Sequence, residues 1–427
     1  MRTAKYPAAL SLLLLFLLAA LPATAVPSDA ETGLTRVILT VDKGRFDRGR
    51  LAAMGGAVVA ELELIPVVIA DVPKGAIRAL SHVPGVVRVE LDGVVYALVG
   101  RPVSQPPQTI PWGVERIKAP DAWITSTGWA DVNEDGDSEV EVAIIDTGID
   151  TDHPDLADNL AWCITTLNGR VRNGCDDRNG HGTHVAGTVA AVYNDIGVVG
   201  VAHSVEIYAI RALNPGGLGS WSDLVLAIEV ALKGPDGVLD ADGDGVIVGD
   251  PEDDAPEVIS MSLGGSSPPE ALHDIIVTAY NYGVVIVAAA GNEGADYPSY
   301  PAAYPEVIAV GATDETDGVP SWSNRNPEVA APGVNILSTY PDDTYKELSG
   351  TSMACPHVSG VVALIQASRL VNGLDLLPPG TETDATTDTV RGILHTTADD
   401  VGDPGYDSLY GYGIVRADLA VQAAVQG

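Results

Sequence analysis

Gly350-Thr351-Ser352-Met353-Ala354-Cys355-Pro356-His357 places a hydroxyl at the opening of a helix-forming run rich in small residues. Two earlier segments carry complementary chemistry: Ile145-Asp146-Thr147-Gly148 and His181-Gly182-Thr183-His184-Val185-Ala186-Gly187. A serine hydroxyl is a poor nucleophile at neutral pH and needs a neighbouring base. Imidazole can take the proton and return it, and a carboxylate can fix the imidazole tautomer and stabilise its charged form. The three groups run in the order Asp, His, Ser, and Gly291-Asn292 falls between the last two. Each also has a plainer reading, because Ser caps helices, Asp before Gly makes turns, and Asn sits in turns. Those readings leave the long strings around each residue unused.

The order and its surroundings resemble the subtilisin family of serine proteases. The resemblance runs from about Pro111 to Gln426 and closes on Tyr410-Gly411-Tyr412-Gly413-Ile414-Val415. It implies an α/β fold: a subtilisin-like three-layer domain with a mostly parallel sheet, preceded by a small α+β propeptide domain. It implies an endopeptidase acting on proteins and peptides through an acyl-enzyme, the mature enzyme being a monomer. Ser352 becomes the nucleophile, His181 the base in preference to His184, Asp146 the orienting carboxylate, and Asn292 an oxyanion donor beside the Ser352 N–H. The His-Gly-Thr-His cluster lacks the glutamate spacing of a zincin, and Asp150, Asp152 and Asp155 lie in a more polar loop.

The same resemblance places substrate. Gly217-Leu218-Gly219 and Ser262-Leu263-Gly264 are the two edges that clamp an extended peptide by main-chain hydrogen bonds. Ala289, Ala290 and Gly291 form one wall of the first specificity pocket, with Ser299 towards its base and a cis peptide at Tyr300-Pro301. No charge stands out in these segments, so an apolar or aromatic side chain is expected before the cut, with broad selectivity.

The chain has 427 residues, room for one large domain and a smaller one. Its 46% hydrophobic content supports a sizeable core, and 46 Gly with 29 Pro between recurring apolar runs indicate tight turns. The formal net charge of -35 repels a nucleic-acid backbone, which excludes that partner class. It suits cation binding, and a salt-loving host remains open.

Arg2 and Lys5, the apolar run from Ala8 to Leu21, and Ala23-Thr24-Ala25 read as a secretory signal over 1–25, too short to favour a membrane anchor. Secretion to the extracellular space follows. Residues 26–106 read as an inhibitory, folding-assisting propeptide and linker, and 107–427 as the peptidase. Within the former, 32–98 alternate strand and helix signals: strands over 35–41 and 64–70, a helix over 74–81, and strands over 86–98 around Asp92-Gly93. The Pro- and Gln-rich stretch after it makes an exposed linker, and autocleavage is expected between Tyr96 and Gln108. In the peptidase, near-continuous apolar strands over 140–145, 205–213, 258–263, 284–290 and 307–312 alternate with helices over 181–192, 222–232, 269–282 and 351–368, the pattern of a sheet covered on both faces.

Asp240-Ala241-Asp242-Gly243-Asp244-Gly245 opens like a calcium-binding EF-hand loop, but Pro251 stands where the closing glutamate belongs. Asp236, Asp250, Glu252, Asp253 and Asp254 extend the acidic cluster. Asp131, Asn133, Asp135 and Asp137 alternate in a second oxygen-rich loop. The family resemblance implies a third Ca²⁺ site on Gln108, Asp155, Val192, Asn194, Ile196 and Val198. The Asp-rich loops are similar to those of calcium-dependent subtilisins from heat-loving archaea, which implies that folding depends on several structural ions; no organic cofactor is expected. Cys163 and Cys175 flank a polar loop and can pair outside the cell, whereas Cys355 reads as a buried packing thiol. Two rivals stay open. An esterase or ligase on this scaffold would differ in peptide turnover, and a calcium-dependent adhesion protein with an inactive protease fold would not label at Ser352.

Overall fold

The computed structural model describes residues 33–97, 108–132, 136, 138–249 and 253–426. The expected signal at 1–25 and residues 98–107, in which most of the expected autocleavage stretch falls, lie outside the described residues.

The N-terminal module runs β1 (Leu34–Val41), α1 (Arg48–Ala53), β2 (Ala57–Glu61), β3 (Val67–Pro73), a 3₁₀ run over Lys74–His82, and β4 (Val86–Leu91). The expected α-helix over 74–81 is therefore a 3₁₀ segment, bracketed by Pro73 and Pro84. The strands order as β2-β3-β1-β4, all antiparallel. Alternation along β1 decides what each face does. Val37, Leu39 and Val41 enter the module's own core with Val68, Ala70 and Leu80. Ile38, one step out of phase, points the other way and joins Leu62, Ile65 and Val67 in a cluster shared with the large domain. The module is thus packed onto the domain that follows it.

β5 (Val94–Ala97) departs from the expected hairpin. It leaves the small sheet after Asp92-Gly93 and pairs with two strands of the large domain. Its turn residues signalled a reversal; the open edges elsewhere decided its partners.

The large domain continues with α2 (Trp112–Arg116), α3 (Ala119–Ala122), β6 (Glu141–Asp146), β7 (Leu160–Thr165), β8 (Arg172–Asn173), α4 (His181–Ala190), β9 (Glu206–Arg211), β10 (Leu218–Ser220) and α5 (Trp221–Leu232). Then follow β11 (Val258–Met261), β12 (Leu263–Gly264), α6 (Glu270–Asn281), β13 (Val285–Ala289), β14 (Val307–Thr313), β15 (Val329–Pro332), β16 (Ile336–Tyr340), β17 (Thr344–Leu348), α7 (Thr351–Val371), α8 (Val390–Thr397) and α9 (Ala417–Ala424). The central sheet orders β15-β14-β13-β11-β6-β9-β7-β8, parallel except at β8. Every residue of β6, β11, β13 and β14 is buried, which is why these strands read as near-continuous apolar runs. One face packs on α4, α7 and α9 and the other on α5 and α6, giving the expected three layers.

α7 is long and apolar enough to cross a membrane by length and composition. It is instead the core helix, buried from Thr351 to Ser368. Cys163 and Cys175 are disulfide-bonded, and Cys355 is a buried free thiol whose pKa burial pushes up to about 11. Tyr300-Pro301 is cis.

Candidate active site

The named chemistry gathers at the C-terminal ends of the parallel strands, where open α/β sheets place their ligands. Asp146 is the last residue of β6, His181 the first of α4, Ser352 the second of α7, and Asn292 follows β13. Asp146 and His181 are each 1% exposed, and Ser352 is fully buried. His181 Nδ1 lies 2.8 Å from Asp146 Oδ1 and 3.0 Å from Oδ2. The backbone N–H of Thr147 donates to Asp146 Oδ1 at 2.7 Å. Gly182 N–H donates to Thr147 Oγ1, tying the start of α4 to the end of β6. Gly182 must be glycine, since a Cβ there would sit 2.2 Å from Gly148 O.

Ser352 and Ser262 are bonded reciprocally. Ser352 Oγ donates to Ser262 O at 3.1 Å, and Ser262 Oγ donates to Ser352 O at 2.8 Å. The second bond has a cause in the sequence. Pro356 has no N–H to give the carbonyl four residues back, which is that of Ser352. The Ser262 hydroxyl supplies what the helix cannot, so a proline is tolerated inside α7.

Asn292 is held by its oxygen. Its Oδ1 accepts from Thr351 N–H at 2.9 Å and from Thr351 Oγ1 at 3.0 Å. Thr351 Oγ1 in turn accepts from Gly291 N–H at 3.1 Å. With the carbonyl end fixed, Nδ2 is the end left to turn to a ligand.

His184, the other histidine of its motif, is fully buried, and its Nε2 lies 2.9 Å from Ile336 O and 3.1 Å from Lys346 O, across the base of the β16–β17 hairpin. Burial pushes its pKa down to about 3.

Gly217, Leu218 and Gly219 face Ser262, Leu263 and Gly264 across a gap filled by β5. The three strands order β10-β5-β12, antiparallel on both sides. Leu218 pairs with Tyr96 and Gly219 with Val95 on one side; Leu263 pairs with Ala97 and Gly264 with Tyr96 on the other. The N-terminal module fastens at both helices behind this cleft. Asp92 Oδ1 accepts Ser222 N–H at 3.0 Å near the start of α5. Glu90 Oε1 accepts Glu270 N–H at the start of α6. Both are favourable ends of a helix for a carboxylate. Glu229 of α5 accepts the N–H groups of Glu63 and Leu64.

Ala289 and Ala290 are fully buried, and Ser299 N–H donates to Ala290 O at 2.8 Å. Gly291 has a φ of +110°, and a Cβ would meet Asn324 Nδ2 at 2.3 Å and Glu293 Oε2 and Ser299 Oγ at 2.7 Å each. Sequence reasoning found no charge here, yet Glu293 stands beside this wall. Its Oε2 accepts from Asn324 Nδ2 at 2.9 Å and from Ser299 Oγ at 3.4 Å. Glu293 follows Asn292 directly, so the signal was its adjacency; Asn324 carried none.

The oxygen-rich groups divide. Asp240, Asp242 and Asp244 bring one carboxylate oxygen each within 4.8 Å of the others, a hard donor set that fits Ca²⁺. Asp236, Asp253 and Asp254 serve the stems of that loop, accepting N–H groups of Val238, Ala241 and Asp236. Asp250 and Glu252 lie outside the described residues, as do Asn133, Asp135 and Asp137 of the second loop. Asp131 of that loop keeps Oδ1 buried without a hydrogen-bond partner among the described residues and accepts Gly136 N–H with Oδ2. The third group converges. Gln108 Nε2 reaches Val192 O at 3.3 Å and Asn194 Oδ1 at 3.1 Å, and Asn194 Nδ2 reaches Asp155 Oδ1 at 2.8 Å. Ile196 N–H donates to Asn194 Oδ1, and Val198 N–H to Asp155 Oδ2. Its carboxylate, amide oxygens and carbonyls also fit Ca²⁺.

A three-layer parallel α/β domain with a buried Asp–His pair and a serine at a helix start, at the mouth of a strand-lined cleft, defines a class: serine hydrolases that grip an extended peptide. Comparison narrows it. The Subtilase family model, Peptidase S8, matches residues 137–413. M-protease of Shouchella clausii (strain KSM-K16) is 37% identical over 367 residues, 85% of this chain and 81% of that protein. Subtilisin Savinase of Lederbergia lenta is 38% identical and Subtilisin DY of Bacillus licheniformis 40%, each over 74% of this chain and 100% of its own length. The chain belongs to the subtilase family and is a subtilisin-like serine endopeptidase. The likeness to archaeal enzymes rests on the Asp-rich loops alone.

Proposed function

We propose that this chain is a secreted precursor that cuts itself between Tyr96 and Gln108 and matures into a calcium-stabilised endopeptidase of broad specificity. Ser352 Oγ turns from Ser262 O, passes its proton to His181 Nε2 and attacks the scissile carbonyl carbon. Asn292 Nδ2 and Ser352 N–H receive the oxyanion. The C–N bond breaks as His181 returns the proton to the leaving amine, and water then releases the acyl group by the same route. Asp146 holds the tautomer throughout.

The observation that carries this reading is the β10-β5-β12 sheet. The chain's own N-terminal module lies in the cleft as an extended peptide, bonded on both edges, and is fastened behind it by Asp92 and Glu90. A strand in that place, with Ala97 level with Leu263 next to Ser262, supports a propeptide that inhibits after it is cut. Residues 1–25 would be its export signal, 26–106 the propeptide and linker, and 107–427 the enzyme. Ala289, Ala290, Gly291 and Ser299 shape a pocket for an apolar or aromatic residue before the cut.

Gln108, Asp155, Asn194 and the carbonyls of Val192, Ile196 and Val198 would hold one Ca²⁺. Asp240, Asp242 and Asp244 would hold another, and Asp131 belongs to a third loop of the same kind. Bound calcium would screen carboxylates that otherwise repel one another, so its binding free energy adds to folding.

The test is maturation itself. Refolded wild-type precursor in calcium should yield two polypeptides, the new N-terminus lying between Tyr96 and Gln108, while Ser352→Ala remains one. A first cut elsewhere, or an equal cut in Ser352→Ala, would contradict the reading.

A further inference from the structure

The first turn of α4 carries His181, and the residue before it is Gly180, which has no side chain to cap the helix. The N–H groups at this end need acceptors from elsewhere, and Asp177 supplies them. Its Oδ1 accepts the N–H groups of Asn179 and Gly180 at 2.9 Å each. Its Oδ2 accepts Thr183 N–H at 3.0 Å and Thr183 Oγ1 at 2.7 Å. Asp177 is 5% exposed, and all four of these donors are backbone or hydroxyl groups, so its charge is met by dipoles. Asn179 Oδ1 adds an acceptor for His181 N–H at 3.2 Å.

Asp177 is itself tied to the chain that leaves Asp146. Its N–H donates to Ile149 O at 3.0 Å, and Ile149 N–H donates to Cys175 O at 3.1 Å. Asp150 N–H donates to Thr183 Oγ1 at 3.0 Å, so one hydroxyl links the Asp146 segment to the Asp177 carboxylate. The carbonyls of the same turn are taken by three successive hydroxyls of β16. Ser338 donates to His184 O, Thr339 to Thr183 O and Tyr340 to Asn179 O, at 2.7, 2.7 and 2.9 Å. The Tyr340 ring also closes over Gly180, where a Cβ would meet it at 2.2 Å.

We propose that Asp177 is a positioning residue for the general base: its carboxylate fixes the turn that presents His181, and its buried charge favours the imidazolium formed when Ser352 gives up its proton. This rests on His181 acting as the base. An anion at a helix start is well placed, and an anion near an imidazole favours the charged ring. The other charged or titratable groups at this corner are Asp146 at the end of β6 and His184 on α4, which burial keeps neutral. Tyr340 stands on β16, with Lys346 of β17 over its ring at 3.4 Å, and Arg211 stands on β9, within the fields of Asp177, Asp176 and Arg178. Arg211, Arg178 and Lys346 oppose an imidazolium; Asp177 offsets them. Removing its charge should let the ring lose its proton at lower pH, moving the acid limb of kcat/KM down.

The experiment compares full precursors of the wild type, Asp177→Asn and Asp177→Glu, matured in saturating calcium. Slow maturation is completed with a trace of wild-type enzyme, whose own turnover is subtracted. Active sites are counted with a serine-directed phosphonate run to completion, so a loss of folded protein does not enter kcat. Asp177→Asn keeps an oxygen for the Asn179 and Gly180 N–H groups but turns an NH₂ towards Thr183 N–H. Its kcat per site should fall by about ten- to a hundredfold, with KM little changed and the acid limb at lower pH. Asp177→Glu keeps the charge and displaces the carboxylate, so kcat should fall while the acid limb stays in place. An unchanged kcat per site, a loss confined to KM, or an acid limb in Asp177→Asn identical to the wild type would overturn the proposal. If Asp177→Asn does not fold, Asp177→Glu decides, and an unchanged kcat there overturns it. His181→Ala is run beside them. Turnover that survives His181→Ala would overturn the assignment of the base and this inference with it; turnover lost there but intact in the Asp177 variants would overturn this inference alone.

Discussion

Replacing Asn292 by Leu removes one oxyanion donor and leaves the shape of the side chain nearly intact. The geometry assigns two separable costs. The first is the donor itself: Asn292 Oδ1 is fixed by Thr351 N–H and Oγ1 at 2.9 and 3.0 Å, so Nδ2 is presented without reorganisation. Loss of such a preorganised donor costs about 3 kcal/mol, the size known for this donor in subtilisins, or on the order of a hundredfold in kcat. The second is its support: Thr351→Val removes one of the two bonds holding Oδ1 and should cost about 1 kcal/mol, on the order of fivefold. The assay is steady-state hydrolysis of a peptide anilide by matured enzyme. Both losses should fall on kcat with KM little changed, because the bond is made to the transition state. The double variant should lose no more than Asn292→Leu alone, since Thr351 acts through Asn292. A full additive loss, or an effect confined to KM, would refute the assignment.

Three further outcomes follow from the contacts. Asp92→Asn with Glu90→Gln should weaken inhibition by the separated N-terminal module by about tenfold, because each carboxylate meets a helix N-terminus worth about 0.3–1 kcal/mol; an inhibition titration reads this. Glu293→Gln should leave turnover of aromatic substrates unchanged and lower that of Lys substrates by only about two- to fivefold, as expected of an exposed charge. Glu328 is 7% exposed and accepts from both Arg391 and His395. Burial opposes its charge, but His395 and Arg391 hold its carboxyl below the usual range, so the stability it provides is present above about 4.5 and lost as pH falls through the depressed folded value. Glu328→Gln should destabilise by about 3–5 kcal/mol near neutrality by leaving Arg391 buried without its partner; denaturant unfolding measures it.

The layers of the fold were legible because β6, β11, β13 and β14 are buried on both faces and so are largely apolar. The residues now gathered at the strand ends were legible because their chemistry sits inside long, distinctive strings. What escaped was set by tertiary choice. Val94–Ala97 reads as a hairpin partner of β4, and nothing local says that two open edges far along the chain, at Leu218–Ser220 and Leu263–Gly264, will take it. Ser262 and Pro356 each look unremarkable alone; their connection through the Ser352 carbonyl exists only once α7 lies against β11. Glu141 at the head of a largely apolar strand gives no hint that its N–H will be taken by the Glu257 carboxylate. The helix expected over 74–81 failed because a favourable spacing of Ile77 and Leu80 does not distinguish one helical period from another over so few turns.

The most direct measurement is covalent labelling of refolded, calcium-matured protein by a serine-directed phosphonate, with hydrolysis of an unfolded protein followed in parallel. The account predicts a single modified residue, Ser352, loss of proteolysis in proportion to labelling, and neither labelling nor proteolysis with Ser352→Ala or His181→Ala. Proteolysis that survives Ser352→Ala, or a label that settles on another serine, would contradict it.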